Sequence, residues 1–338
     1  MGIRDALLAG PIGFGAAPLG NMFRNIPEEE AQATVDAAWD AGTRYFDTAP
    51  FYGAGLSEIR LGQALSKRPR SEYILSTKVG RIILDELEDV SERDLGEKGD
   101  IFKYGRANKI EIDYSANGAK RSIEDSIKRM GVDYIDFVWI HDTAQDFYGD
   151  SWLIHLETAR TGAFRALGEL RDQGVIKGWG LGVNRTEPVE IMLELSEPTP
   201  DSTLLAGRYS LLDHEHALQR LMPLAAEKKL DIVVGGPYSS GVLAGGSHFE
   251  YGPIPPAIAA KVEKFKALAG KYDVSLKAAA LHFALANPAV ASVIPGASHP
   301  ENVIEDHAAY KMTIPDDFWT EVRKEGLVAA AAPLPIDK

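Results

Sequence analysis

The sequence predicts an α/β protein, a (β/α)8 or TIM barrel, on three observations. Eight short apolar runs alternate with longer stretches of helical periodicity. The runs are nearly continuous in apolar character, the pattern of strands covered on both faces. Eight is also the number of parallel strands that closes such a barrel. An open doubly wound sheet is the competing arrangement, but the early Gly13-Phe14-Gly15 lacks the third glycine of a dinucleotide fingerprint. The barrel is expected to take residues 1–338 as a single domain.

The expected strands are Ile12–Gly15, Arg44–Asp47, Tyr73–Lys78, Tyr134–His141, Gly178–Val183, Thr203–Ala206, Asp231–Gly235 and Ala291–Ile294. The first helix, Pro27–Ala41, opens on a proline and three acids and closes on Gly42, which are helix-boundary signals. Similar periodicity covers about 119–130, 161–173, 186–195, 217–228, 256–270, 275–286, 300–309 and 315–326. Two connections are long, residues 80–118 after the third strand and 142–160 after the fourth. Long loops in a compact domain are usually functional, and both leave the strand ends where barrel active sites sit.

The chain has 338 residues, 45% hydrophobic and 25% charged, the balance of a globular protein. It has no cysteine, which removes disulfides and thiolate chemistry. A net charge of −13 without a dense basic run argues against nucleic acid. No apolar run reaches the roughly 20 residues of a membrane span. The N-terminal MGIRDALLAGPIGFG is too short in apolar character for a signal peptide. The expectation is a cytoplasmic monomer or weak homo-oligomer that takes a small-molecule substrate.

Asp47 ends the second strand and Tyr52 follows five residues on; Lys78 and His141 end the next two strands. Singly, each has an ordinary explanation as a turn former, a packed ring or a solvated strand end. Together they stand on one rim and make a proton-transfer device. A tyrosine with an ordinary pKa near 10 is too weak a base at neutrality; a lysine beside it lowers that pKa, and a carboxylate keeps the lysine charged and oriented. Histidine then positions or relays the proton. The accompanying hydride needs a cofactor, because no side chain transfers one.

The segment GTRYFDTAPFYGAGLSEIRLGQAL, with KGWGLGVN and VIPGASHPENV downstream, resembles the aldo-keto reductases over almost the whole chain. The resemblance makes Asp47, Tyr52, Lys78 and His141 the catalytic tetrad. IDYSANGAKRSIEDSIKRMGVDYIDFVWIHD and RYSLLD are similar to a narrower branch of D-threo-aldose, L-galactose and pyridoxal dehydrogenases, which oxidise cyclic hemiacetals to lactones. It implies cofactor contacts at Gly15, Asp47, Asn184, Pro237, Ser239, Gly241, Leu243, Gly296, Ser298, Asn302 and Asp306. Many relatives carry a stacking tyrosine at the Gly235 position, a role left open here for Tyr238. NADP-preferring relatives place Lys or Arg after the eighth strand. Here residues 296–306 hold none, while Glu301, Glu305 and Asp306 suit a free 2′-hydroxyl, so NAD is expected over NADP.

Phe51, Tyr52, His141, Tyr148 and Trp152 are the expected substrate contacts. L-fucose or another aldose is the first substrate expected and pyridoxal the second. An NADPH-dependent aldehyde and ketone reductase and a non-catalytic nucleotide sensor are the remaining readings. No metal is expected: in Asp213-His214-Glu215-His216, residues two apart do not share a helix face.

Overall fold

The computed structural model describes residues 1–89, 101–195 and 197–337. Its core is a parallel sheet of eight strands: β1 (Phe14–Gly15), β2 (Tyr45–Asp47), β3 (Ile74–Val79), β4 (Phe137–His141), β5 (Gly178–Val183), β6 (Ser202–Ala206), β7 (Asp231–Gly235) and β8 (Val290–Ile294). The strands are hydrogen-bonded in sequence order. The Ile12–Val293 and Gly15–Gly296 bridges bring β8 back to β1 and close the TIM barrel.

Apolar side chains form two layers, as strands buried on both faces require. Tyr45, Ile74, Phe137, Trp139, Leu204, Val233, Ala291 and Ile294 fill the barrel with Ile3 and Ala6. Those last two belong to a short helix, Ile3–Ala6, tied to the start of β6 by Ile3 N–H donating to Ser202 Oγ at 2.9 Å. The other strand face packs under the helices in a second, larger cluster.

Inside the barrel, β5 presents Gly178, Gly180 and Gly182. A Cβ at Gly182 would sit 3.0 Å from Trp139 Cβ and 3.4 Å from Lys78 Cε; at Gly180 it would lie 1.7 Å from the Ser202 carbonyl oxygen. The bare strand therefore makes room for Trp139 and the Lys78 stem.

Among the elements that depart from the sequence expectation, three lie in or beside the connections that leave the rim. The connection after β3 holds an antiparallel hairpin, Arg81–Leu87 with Asn108–Ile112; residues 90–100 of that connection lie outside the described residues. The period-two alternation of Lys109-Ile110-Glu111-Ile112 is its faint signal. In the connection after β4, Trp152–Thr161 is helical, yet it buries only Leu156 and Ala159 and exposes Leu153 and Ile154, so no apolar stripe marks it. A helix at Leu56–Leu65 also escapes the pattern, because buried Glu58 and Arg60 interrupt its apolar face. Glu58 accepts from Thr77 Oγ1 at 2.7 Å and pairs with Arg129 at 2.6 Å.

Gly180→Ala should cost about 3 kcal/mol, the upper end of overpacking penalties, because the clash is with strand backbone that cannot yield. The urea unfolding midpoint measures this, and a shift under about 0.5 kcal/mol, the scale of a surface change, would contradict it.

Candidate active site

Asp47, Lys78 and His141 stand at the C-terminal ends of β2, β3 and β4, with Tyr52 in the turn after β2. That turn is pressed against residues 17–20: a Cβ on Gly53 (φ +64°) would lie 2.3 Å from the Gly20 carbonyl oxygen. Two facing glycines thus fix the backbone beside Tyr52.

Asp47 and Lys78 form a buried ion pair, Nζ to Oδ2 at 2.6 Å, with both side chains at most 2% exposed. Asp47 Oδ1 accepts from Ser76 Oγ at 2.6 Å and Trp139 Nε1 at 3.0 Å, and Lys78 donates also to the Thr48 carbonyl at 2.8 Å. Lys78 Nζ lies 4.7 Å from the Tyr52 ring centroid, over its face. The tyrosine edge meets His141 at 5.8 Å between centroids.

The expected lowering of the Tyr52 pKa does not occur. Burial and the nearby Asp47 and Asp142 carboxylates hold the phenol well above its ordinary value, with Arg81 opposing them. Lys78 spends its charge on Asp47 and approaches the ring rather than acting on the hydroxyl. Tyr52 is therefore neutral in this state. Burial, Arg81 and Lys78 push His141 well below the usual histidine pKa, so it too is neutral.

A second buried pair flanks His141. Arg81 donates to Asp142 Oδ2 at 2.6 Å, and that oxygen lies 3.3 Å from His141 Nε2. Asp142 has the left-handed φ of +53°, uncommon for a residue other than glycine. His141 Nδ1 is buried with no partner among the described residues.

Two adjoining cavities open here. The smaller, of about 60 Å³, is walled by Met22, Phe51, Ile101, Phe102, Phe147 and Tyr251 around Tyr52 and His141. The Phe51 ring meets Phe102 and Phe147 edge-on, and the Arg81 guanidinium lies 4.3 Å over it. Of the expected substrate contacts, Phe51, Tyr52 and His141 line this cavity, whereas Tyr148 and Trp152 pack against the barrel's outer core. The Tyr148 hydroxyl is hydrogen-bonded to Tyr114 at 2.8 Å, so its polar end is engaged away from the site.

The larger cavity, of about 390 Å³, runs from Asp47 and Tyr52 to Glu305 and Asp306. Gly15, Asn184, Pro237, Ser239, Gly241, Gly296, Ser298, Asn302 and Asp306 line it. Leu243 does not; it is buried beneath the loop. Ser239, Ser240 and Gly241 are three consecutive left-handed residues of that wall, and strained backbone of this kind clusters at ligand clamps. Glycine-rich walls formed by the loops after β7 and β8, where barrels of this kind commonly hold phosphate, fit a nicotinamide dinucleotide.

Sequence reading missed several of these residues. Tyr251 reaches both cavities from the tip of the His248–Phe249/Gly252–Pro253 hairpin, where Glu250 and Tyr251 are both left-handed. Glu250 pairs with Arg208, which also holds Asp213 at 2.6 Å. Tyr238 lines the larger cavity, with its hydroxyl donating to Asp306 Oδ1 at 2.8 Å. The stretch 296–306 lacks cations in sequence, but the fold brings two to it. Lys277 pairs with Asp306 at 2.7 Å and Glu305 at 3.1 Å, and Arg24 donates to the Ser298 carbonyl at 2.7 Å. Both ring nitrogens of His214 face backbone, Ser210 O and Ala329 N.

The sequence matches the aldo/keto reductase family over residues 11–325. The chain belongs to that family. It is 37% identical to pyridoxal 4-dehydrogenase of Microbacterium luteolum (96% of each chain covered) and 35% identical to D-threo-aldose 1-dehydrogenase of a Pseudomonas species (94% of each). The holo form of aldo-keto reductase AKR11C1 from Bacillus halodurans superposes with TM-score 0.67 at 25% identity, covering 95% of this chain and 92% of that one. The protein is thus an oxidoreductase acting on CH–OH groups, in a family that works with nicotinamide cofactors. No helix among the described residues is long and apolar enough to cross a membrane.

Two outcomes follow from the electrostatics. Oxidation through Tyr52 requires the loss of a proton that burial and carboxylates retain, so kcat/KM for oxidation should still be rising with pH at about 10, the ordinary tyrosine value; a plateau below that pH would contradict this. Lys78→Met should destabilise the fold by about 3–5 kcal/mol, because it strands the buried Asp47 charge; chemical denaturation measures it.

Proposed function

We propose that the protein oxidises a cyclic hemiacetal to the lactone with NAD. The observation that carries this reading is the gathering of Tyr52, Lys78, Asp47 and His141 at the mouth of a long glycine-walled cavity. When bound, the nicotinamide supplies the hydride acceptor that no side chain provides. Tyr52, deprotonated by solvent, takes the proton of the anomeric hydroxyl. His141, which lines the smaller cavity beside Tyr52, positions the same oxygen, and Lys78 limits the cost of the phenolate by lying over its ring. The C–H bond breaks as hydride leaves, the O–H bond breaks toward Tyr52, and the ring carbon becomes the lactone carbonyl.

For the substrate, the composition of the smaller cavity favours a planar aromatic hemiacetal such as pyridoxal over a sugar. Beyond the catalytic groups, Met22, Phe51, Ile101, Phe102 and Phe147 dominate the described wall, and its polar members are Asp142, Asn184 and Tyr251. Each sugar hydroxyl buried there without a partner costs about 1–3 kcal/mol, while a flat ring meets the phenylalanines edge-on or stacked. The chain is similar both to a protein named pyridoxal 4-dehydrogenase and to one named D-threo-aldose 1-dehydrogenase, so the choice between them rests on the cavity wall.

Following NADH absorbance over pyridoxal, L-fucose and other aldoses tests it: turnover on pyridoxal should exceed that on every aldose, and the reverse order would refute the substrate assignment. Tyr52→Phe should lower kcat by about two to four orders of magnitude, and near-normal turnover would remove the mechanism. Should kcat/KM with NADP exceed that with NAD, the cofactor preference would be refuted.

A further inference from the structure

The far end of the large cavity, at Ser298, Asn302, Glu305, Asp306 and Lys277, has no part in the proton transfer. Asp306 is only 3% exposed and sits between two groups from separate elements. Its Oδ1 takes the Tyr238 hydroxyl from the loop after β7 and the Lys277 ammonium, 2.7 Å away, from the first turn of helix Leu276–Ala286. Lys277 is also held by Glu305 at 3.1 Å, and its side chain is 14% exposed. The neighbouring Arg24 is engaged as well, bidentate to Glu30 at 3.1 Å and donating to the Ser298 carbonyl.

We propose that Lys277 is a masked phosphate-binding cation, and that Glu305 and Asp306 select a dinucleotide with a free 2′-hydroxyl by holding it. The inference rests on the dinucleotide reading of the cavity. With two carboxylates on one ammonium, this end carries one net negative charge. A 2′-phosphate of nearly two negative charges is repelled there and finds its counter-cation occupied. A 2′-hydroxyl donates to the exposed Glu305 carboxylate instead. Selectivity therefore comes from an acid–base pair assembled across two helices.

Removing the mask should reverse the preference. Calorimetric titration of the purified chain with NAD and with NADP reads affinity without turnover. The wild type should bind NAD more tightly. Glu305→Gln combined with Asp306→Asn, which keeps an acceptor for Tyr238, should tighten NADP binding at least about tenfold, equivalent to ~1.4 kcal/mol. Adding Lys277→Met should abolish the gain. Glu305→Gln alone, at an exposed position that leaves the Tyr238 contact untouched, should give a smaller gain in the same direction. No tightening in either the single or the double variant, or a gain that survives Lys277→Met, would overturn the inference while leaving NAD binding intact. A wild type that binds neither nucleotide would overturn the dinucleotide reading and this inference with it.

Discussion

The site is organised by the Asp47–Lys78 ion pair. Two opposite charges buried at a strand rim lose the solvation of water, and their mutual attraction restores it only with good geometry and further hydrogen bonds. Here Ser76, Trp139 and the Thr48 carbonyl supply those bonds. The requirement reaches outward: Tyr45 holds Ser76 at 3.0 Å, and Trp139 needs the empty inner face of β5. The proposed proton-transfer centre and the packing of the barrel interior are therefore one set of contacts. The same pairing explains why Tyr52 is not acidified. A lysine neutralised by its own carboxylate steadies the ring without drawing the proton from the hydroxyl.

The barrel was legible because burial on both faces forces nearly unbroken apolar runs. The elements that escaped lack that constraint or violate it. Trp152–Thr161 hides two small contacts and leaves Leu153 and Ile154 in solvent, while Leu56–Leu65 buries charges that pair with Arg129 and Glu28. Amphipathic periodicity reports how an element sorts polarity, so an exposed helix or one with buried ion pairs gives a weak signal.

The gathering of Asp47, Tyr52, Lys78 and His141 was readable because strand ends bring residues far apart in sequence onto one rim. The cavity walls were less so. Phe102 and Tyr251 come from connections whose path follows no period, and Arg81 stands at the start of a hairpin. Lys277 shows the limit most sharply: a search along the stretch after β8 finds only acids, yet a helix one element earlier delivers an ammonium to them. Charge balance at a site is a property of space, and a linear window reads it incompletely.

The bare inner face of β5 has a consequence for how the protein tolerates change. Gly182 and Trp139 share one parcel of volume, with the Lys78 stem alongside. Since the near atom on that strand is the Cβ of Trp139, which every residue but glycine keeps, a side chain at 182 finds its room only by displacing the flexible Lys78 stem, and with it the ammonium held by Asp47.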